Sequence, residues 1–134
     1  MIIIGDIGNT ETKICLVDRN FKILRKINIK TTEISKSKLK IKLKYFLKIN
    51  KSINHIVFSS VVPKIYRQFS LFFKSNMNKK IIEIKNLNLK KLIDIKVNQK
   101  QVGSDRLANS IAAIDERNNF IIIDFGTATT FDVV

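Results

Sequence analysis

The stretch that decides the fold is Asn119-Phe-Ile-Ile-Ile-Asp-Phe-Gly-Thr-Ala-Thr-Thr-Phe-Asp132. Its first apolar run, residues 120–123, leads to a carboxylate, Asp124, and to a turn of glycine and threonine residues, after which a second apolar run begins. A strand, a carboxylate, a turn of small residues and a returning strand predict a hairpin whose turn leaves room for a phosphate group.

The start of the chain repeats this pattern. Residues 1–4 are apolar, Asp6 lies within the segment Gly5-Asp-Ile-Gly-Asn-Thr10, and residues 12–17 form a second strand-like run. The carboxylate suits Mg²⁺ bound through water, and the glycine, amide and hydroxyl that follow it suit phosphate oxygens. An ordinary Gly-Asn hairpin turn is an equally good interpretation of this segment taken alone. Two such copies in one chain indicate a nucleotide held between two like halves.

Length and composition are those of a globular domain: 134 residues, of which 45% are hydrophobic. No apolar run approaches the roughly 20 residues that span a bilayer, and the first residues lack the positive region of a signal peptide. The single cysteine, Cys15, excludes an internal disulfide. We therefore expect a cytoplasmic protein without a membrane partner.

The net charge of +14, from 25 Lys and Arg against 11 Asp and Glu, is compatible with nucleic-acid binding. The lysines, however, are scattered among Ile and Asn from Lys22 to Lys100, without an arginine cluster or regularly interleaved aromatic residues. This distribution favours biased residue usage over a binding face. No nucleic-acid partner is expected, and a basic nucleic-acid-binding protein is the least favoured of the alternatives.

The hydrophobic periodicity predicts a mixed α/β fold. The pattern alternates with a period of two in the first three segments and then changes to helical spacing, which indicates three antiparallel strands followed by parallel ones with flanking helices. An aromatic stripe in the second helix is assigned to the core. The predicted strands are residues 1–7, 11–18, 21–29, 53–58 and 80–85, with weak strand character at 93–97; the predicted helices are residues 33–49, a segment starting at Pro63, and residues 103–117.

The segment Gly103-Ser104-Asp105-Arg106 opens the last predicted helix. Ser104 or Asp105 as a simple helix N-cap is the structural interpretation. In the functional interpretation the helix dipole keeps Asp105 ionised and able to accept a proton from a hydroxyl, while Arg106 offers a bidentate fork to a carboxylate.

Four segments together resemble the type III pantothenate kinases, of the acetate and sugar kinase, Hsp70 and actin superfamily. They are Asp-Ile-Gly-Asn-Thr at 6–10, Ser-Ser-Val-Val-Pro at 59–63, Gly-Ser-Asp-Arg at 103–106 followed by Leu-Ala-Asn, and Asp-Phe-Gly-Thr-Ala-Thr-Thr at 124–130. The resemblance spans the whole chain and corresponds to the N-terminal half of the family.

The resemblance implies a ribonuclease H-like, actin-like ATPase domain at residues 1–118 and the first hairpin of a truncated like domain at 119–134. It implies ATP-dependent phosphorylation of pantothenate to 4′-phosphopantothenate, the first step of coenzyme A biosynthesis, in the full-length or complemented protein. We expect the chain alone to be inactive. The implied cofactors are ATP, Mg²⁺ and a monovalent cation, K⁺ or NH₄⁺, and the full-length protein is expected to be a homodimer.

The resemblance also implies the site residues. Asp105 is the expected proton acceptor, Arg106 lies near the pantothenate carboxylate, and Asp124 helps to hold the monovalent cation. The residues expected to bind ATP are Asp6, Ile7, Gly8, Asn9, Thr10, Glu11, Thr12, Lys13 and Thr127. Those expected to bind pantothenate are Gly103, Ser104, Asp105 and Arg106.

The chain departs from the family in one wall of the expected pantothenate pocket. Where the family often has a tyrosine and an Asn-Pro pair, this sequence has Lys96, Asn98 and Gln99. The larger departure is length, because family members are longer, and the chain is expected to be a fragment of a longer protein, a natural remnant or one piece of a split enzyme. A non-catalytic remnant that binds ATP or protein is the main alternative to a kinase.

Overall fold

The first three strands form an antiparallel unit, as predicted. The computed structural model describes residues 1–98, 101–115 and 117–134. In it β1 (Ile2–Ile7), β2 (Glu11–Val17) and β3 (Ile23–Lys30) pair in succession. Alternate residues are buried along β2, where Thr12, Ile14 and Leu16 face the core, because successive side chains of a strand point to opposite faces.

Two parallel strands complete the main sheet. β4 (His55–Ser60) pairs with β1, and β5 (Ile82–Glu83) pairs with β4, which gives the strand order β3-β2-β1-β4-β5. The mixed α/β sheet is thus confirmed. The fifth strand is shorter than predicted because the chain enters a 3₁₀ turn at Ile84–Asn86, and residues 93–97, all described, form no strand.

β3 begins two residues later than predicted because Phe21 belongs to a turn. The Asp18 carboxylate accepts hydrogen bonds from the N–H groups of Asn20 and Lys22, at 2.8 and 2.9 Å, which is the chemistry of an Asx turn. Phe21 then adopts a left-handed conformation with φ of 58° and points its ring into solvent.

The first three helices pack on the sheet and close the main core. The predicted helix at 33–49 is two short helices, α1 (Lys36–Lys42) and α2 (Lys44–Lys48), separated at Leu43. The hydrogen bond from the Leu47 N–H to the Leu43 carbonyl, 3.1 Å, crosses the break. Leu39, Leu43 and Phe46 are all buried, so one apolar face continues through both helices. α3 (Pro63–Met77) has proline in its first turn and ends at a left-handed Asn78.

The aromatic stripe of α3 is core, as predicted. The rings of Phe58 on β4 and Phe69 on α3 lie 5.2 Å apart between centroids, and Phe73 packs against both. A Cβ atom at Gly5 would lie 2.4 Å from the Phe58 ring. Glycine at this position of β1 is therefore what allows the ring to pack against the strand.

The last helix, α4 (Ser104–Ala112), is shorter than the predicted 103–117.

β6 (Ile121–Phe125) and β7 (Thr129–Val133) follow as an antiparallel hairpin in a sheet of their own. The division of the chain near residue 118 into two domains stays a prediction. In the described ranges, no helix has the length and hydropathy needed to cross a membrane.

Candidate active site

A cleft of about 1160 Å³ lies between the β1–β2 turn, one face of α4 and the β6–β7 hairpin. Because β1 and β4 are parallel, their carboxyl ends meet at one edge of the sheet, the usual place for ligands in α/β folds. The predicted site residues that line this cleft are Asp6, Gly8, Asn9, Thr10, Glu11, Lys13, Asp105, Asp124 and Thr127.

Thr31 stabilises the β1–β2 turn through hydrogen bonds, and the sequence motifs did not predict this role. The Thr31 hydroxyl donates to the Gly8 carbonyl at 2.7 Å, and the Thr31 N–H donates to the Thr10 carbonyl at 2.9 Å. Thr31 also meets the Thr12 hydroxyl at 3.0 Å. Thr31 lies 21 or more residues from Gly8 and Thr10 and carries no motif signal, so only the packing of β3 beside β2 brings it here.

Two residues of the predicted ATP loop do not line the cleft. The side chain of Ile7 is fully buried in the core, and Thr12 is fully buried with its hydroxyl on Thr31. Alternation along β1 and β2 turns these two side chains away from the cleft. Their side chains therefore support the loop rather than face a ligand.

Asp6 is placed where a negative charge is costly. Burial raises the pKa of the Asp6 carboxyl above its ordinary value, and the charges of Asp105 and, more weakly, Asp124 raise the pKa further. The Lys13 ammonium acts in the opposite direction. The charges of two carboxylates from separate elements, α4 and β6, thus act on the Asp6 carboxyl.

A bound cation would relieve this repulsion. Within the described part of the chain, no three His, Cys, Asp or Glu side chains are arranged to hold a metal ion by themselves. The donor set fits Mg²⁺ bound by one or two carboxylates together with water and phosphate oxygens, which is the usual arrangement in phosphoryl-transfer sites.

Asp105 faces the cleft from the first turn of α4. It shares one helix face with Ala108, Asn109 and Ala112, all of which line the cleft. One carboxylate oxygen of Asp105 accepts a hydrogen bond from the Arg106 N–H at 2.8 Å, and a Cβ at Gly103 would lie 2.3 Å from that oxygen. Glycine at the N-cap therefore leaves room for this orientation of the carboxylate. Asn109 was not predicted, although its spacing of four from Asp105 is the signal that identifies it.

Ser104 anchors the helix and does not face the cleft. Its side chain is fully buried, and its hydroxyl lies within hydrogen-bond distance of the Ser60 carbonyl, at 3.3 Å, and of the Glu83 carboxylate. Neither Ser104 nor Asp105 is the N-cap, which is Gly103. The structural interpretation of this segment as a Ser or Asp cap is therefore wrong, because the serine hydroxyl is used to fix α4 to β4 and β5. Glu83 had no signal in the sequence.

The guanidinium of Arg106 binds a carboxylate with two of its nitrogens, as predicted. The carboxylate is that of Asp132 on β7. The Arg106 Nε donates to both Asp132 oxygens, at 2.8 and 3.0 Å, and Nη2 donates to Asp132 and, at 3.2 Å, to the Phe131 carbonyl. These bonds raise the pKa of the Arg106 guanidinium. Arg106 lies outside the cleft lining. The sequence motifs assigned no role to Asp132.

The two motif copies meet at their turns. The hydroxyl oxygens of Thr10 and Thr127 are 2.9 Å apart, which joins the β1–β2 turn to the β6–β7 turn. Of the residues that depart from the family pattern, Lys96 is exposed and paired with Asp94, whereas Gln99 falls outside the described residues.

Comparison with known proteins agrees with the motifs. Residues 2–134 match the family model for type III pantothenate kinase. A type III pantothenate kinase of Pelagibacter ubique (strain HTCC1062) is 55% identical over 134 residues, which cover 100% of this chain and 54% of that protein. Proteins of the same description from Desulforapulum autotrophicum (strain ATCC 43914 / DSM 3382 / VKM B-1955 / HRM2) and Thermosipho melanesiensis (strain DSM 12029 / CIP 104789 / BI429) are 36% and 35% identical over 100% of this chain and 53% and 54% of their own lengths. The chain spans about half the length of the curated relatives it matches. The chain belongs to the type III pantothenate kinase family.

Proposed function

We propose that this chain supplies the phosphate loop, the general base and the cation site of a pantothenate kinase, which transfers the γ-phosphoryl group of ATP to pantothenate and yields 4′-phosphopantothenate. The observation that carries the proposal is the convergence of Asp6, Asp105 and Asp124, from three elements, on one cleft. Activity is proposed for the protein in which the remaining half of the family's length is present.

The phosphate groups of ATP bind the β1–β2 turn. Asn9 and Thr10 offer amide and hydroxyl donors along the cleft, and Lys13 adds a positive charge. The Gly8 N–H closes the turn by donating to the Glu11 carbonyl at 3.0 Å. A Cβ atom at Gly8 would lie 3.0 Å from the Glu11 carbonyl, so glycine lets this turn close tightly. Thr127 contacts ATP from the opposite turn. Asp6 would hold Mg²⁺, and the ion would neutralise phosphate charge.

Asp105 acts as the general base. It accepts the proton of the pantothenate hydroxyl while that oxygen forms a bond to the γ-phosphorus and the bond from the γ-phosphorus to the bridging oxygen of ADP breaks. The ADP oxygen leaves with the electron pair. Gly103 and Ser104 support the base by fixing the start of α4, Arg106 lies near the pantothenate carboxylate, and Asp124 holds a monovalent cation, K⁺ or NH₄⁺. On the resemblance alone, we propose that the complete protein is a cytoplasmic homodimer.

The test joins this chain to the part of the family's length that it does not span. The chain is co-expressed with, or fused to, the part of the Pelagibacter ubique relative beyond the matched segment, and phosphopantothenate formation is followed together with ADP release. We expect turnover in K⁺ or NH₄⁺ and not in Na⁺ alone. Asp105→Asn is expected to remove nearly all turnover and to leave ATP affinity within a few-fold, because the base acts only on the proton in transfer.

Asp18→Asn is the matched control, since Asp18 lies in the β2–β3 turn outside the cleft lining and asparagine can accept the same turn hydrogen bonds. It should retain the turnover of the unmodified protein. Turnover in Asp105→Asn equal to that of Asp18→Asn would disprove the assignment of the base, and turnover in Na⁺ alone would disprove the cation requirement.

A second candidate, ATP binding without phosphorylation, is favoured for the isolated chain by its span of about half of its relatives. ATP and duplex DNA are titrated against it at two salt concentrations. Phosphate-backbone binding weakens steeply with salt, so binding of ATP that persists while binding of DNA is lost supports the ATP site.

A further inference from the structure

The pair Arg106–Asp132 joins α4 to β7. Both guanidinium edge groups, Nε and Nη2, engage the carboxylate, which is the bidentate geometry that arginine forms and lysine does not. The Asp132 side chain is only 14% exposed and that of Arg106 35%. A charge-assisted pair that is shielded from solvent in this way is stronger than an exposed ion pair.

The hairpin needs such a link because its own sheet has only two strands. A two-stranded hairpin is marginally stable in water. Its outward-facing side chains, Ile121, Ile123, Phe125, Phe131 and Val133, are all exposed, so this face contributes little burial within the chain.

The Arg106–Asp132 pair lies on the face of the hairpin that also carries Asp124. Phe120 and Val134 exchange both backbone hydrogen bonds, at 2.7 and 2.8 Å, and the hydrogen-bonded pairs of an antiparallel ladder then recur at Ile122–Asp132 and Asp124–Thr130. Asp132 and Asp124 therefore lie on the same face of the hairpin, the face turned toward the rest of the molecule.

We propose that Arg106 and Asp132 form a clasp that holds the β6–β7 hairpin against α4 and so keeps Asp124 across the cleft from Asp105. Asp132 is then a positioning residue, and Arg106 has a structural role before any substrate binds. The Thr10–Thr127 hydrogen bond is a second point of attachment at the turn. In the described part of the chain Nη1 of Arg106 has no hydrogen bond, so a substrate carboxylate can approach this edge without breaking the clasp.

The clasp is tested without ligand or turnover, so its failure is separate from a failure of the proposed kinase function. Amide hydrogen exchange of Ile122, Asp124 and Thr130 is measured in the unmodified chain, in Asp132→Asn, in Arg106→Lys and in the exchanged pair Arg106→Asp with Asp132→Arg. Asp94→Asn is the control for loss of one exposed negative charge. Protected amides of Ile3 and Ile4 in the central strand β1 verify that each variant is folded.

Asp132→Asn is expected to accelerate hairpin exchange about tenfold, the loss of one charged hydrogen-bond pair. Arg106→Lys should give an intermediate rate, because the charge remains and the fork is lost. The exchanged pair should recover at least part of the protection. Hairpin rates in Asp132→Asn within twofold of those in Asp94→Asn, or an exchanged pair no better protected than Asp132→Asn, would overturn the proposal.

Discussion

At the scale of single residues, Asp6 links the stability of the chain to its ligand site. Burial, followed by the charge of Asp105, raises the pKa of the Asp6 carboxyl above the ordinary 3.8. A carboxyl whose pKa is higher in the folded state binds more protons when folded, so it lowers the free energy of unfolding as the pH rises through that pKa. At pH values below the ordinary pKa, the carboxyl is protonated in the folded and the unfolded state, so it no longer lowers the free energy of unfolding.

Asp6→Asn should therefore melt at a higher temperature than the unmodified chain near neutral pH, and the difference should shrink toward zero as the pH is lowered through 3.8. Thermal unfolding followed by circular dichroism over a series of pH values measures this difference. The same variant should lose affinity for Mg²⁺ with ATP. A difference that grows toward acidic pH would mean that the carboxyl is stabilised in the fold, contrary to its burial beside Asp105.

At the scale of elements, β1 and β6 differ in the number of strands that pair with them, although both are apolar strands that lead to a carboxylate. Every residue of β1 is paired on both sides, with β2 and with β4, whereas β6 is paired only with β7. In the segment 121–123, the ladder directs only the Ile122 amide toward β7.

Hydrogen exchange should therefore be far faster for the amides of residues 121–123 than for those of residues 2–4 in the 134-residue chain. Ile121 and Ile123 should exchange fastest, and Ile122 at a rate set by opening of the hairpin. Equal and strong protection of both segments in a monodisperse monomer would show that the hairpin is buried in solution in some other way.

At the scale of the whole molecule, one face of the hairpin exposes a contiguous set of large apolar side chains. Phe125 and Val133 are both 82% exposed, and Phe131 is 62% exposed. Exposed apolar patches and unpaired strand edges promote association between chains. We expect the isolated chain to self-associate as its concentration rises.

Phe131→Thr should reduce this self-association in sedimentation velocity experiments, because threonine keeps the β preference and removes the ring. Phe21→Asn is the control, since Phe21 is similarly exposed but lies in a left-handed turn that asparagine also adopts. If both variants associate like the unmodified chain, the hairpin face is not the contact.

The sequence by itself determined the features that depend on local pattern. The period of two in β1 and β2, the helical spacing of the α3 phenylalanines and the change between them predicted the strands, the core stripe and the mixed sheet. The motif at residues 103–106 and the two carboxylate turns identified the family and most of the cleft. These predictions succeed because strand and helix periods require particular side chains to share a face, whatever they pack against.

Only the tertiary structure decided the partners of individual polar groups. Arg106 pairs with Asp132, 26 residues away, and Ser104 with Glu83, 21 residues away. Thr31 supports a turn that precedes it by 23 residues at Gly8. No local period encodes such contacts, because they arise where α4, β5 and the hairpin pack together, and each buried polar group must find a partner among whatever that packing brings near. The polar partners of Arg106, Ser104 and Gly8 were therefore missed, whereas the motifs named many of the residues that line the cleft.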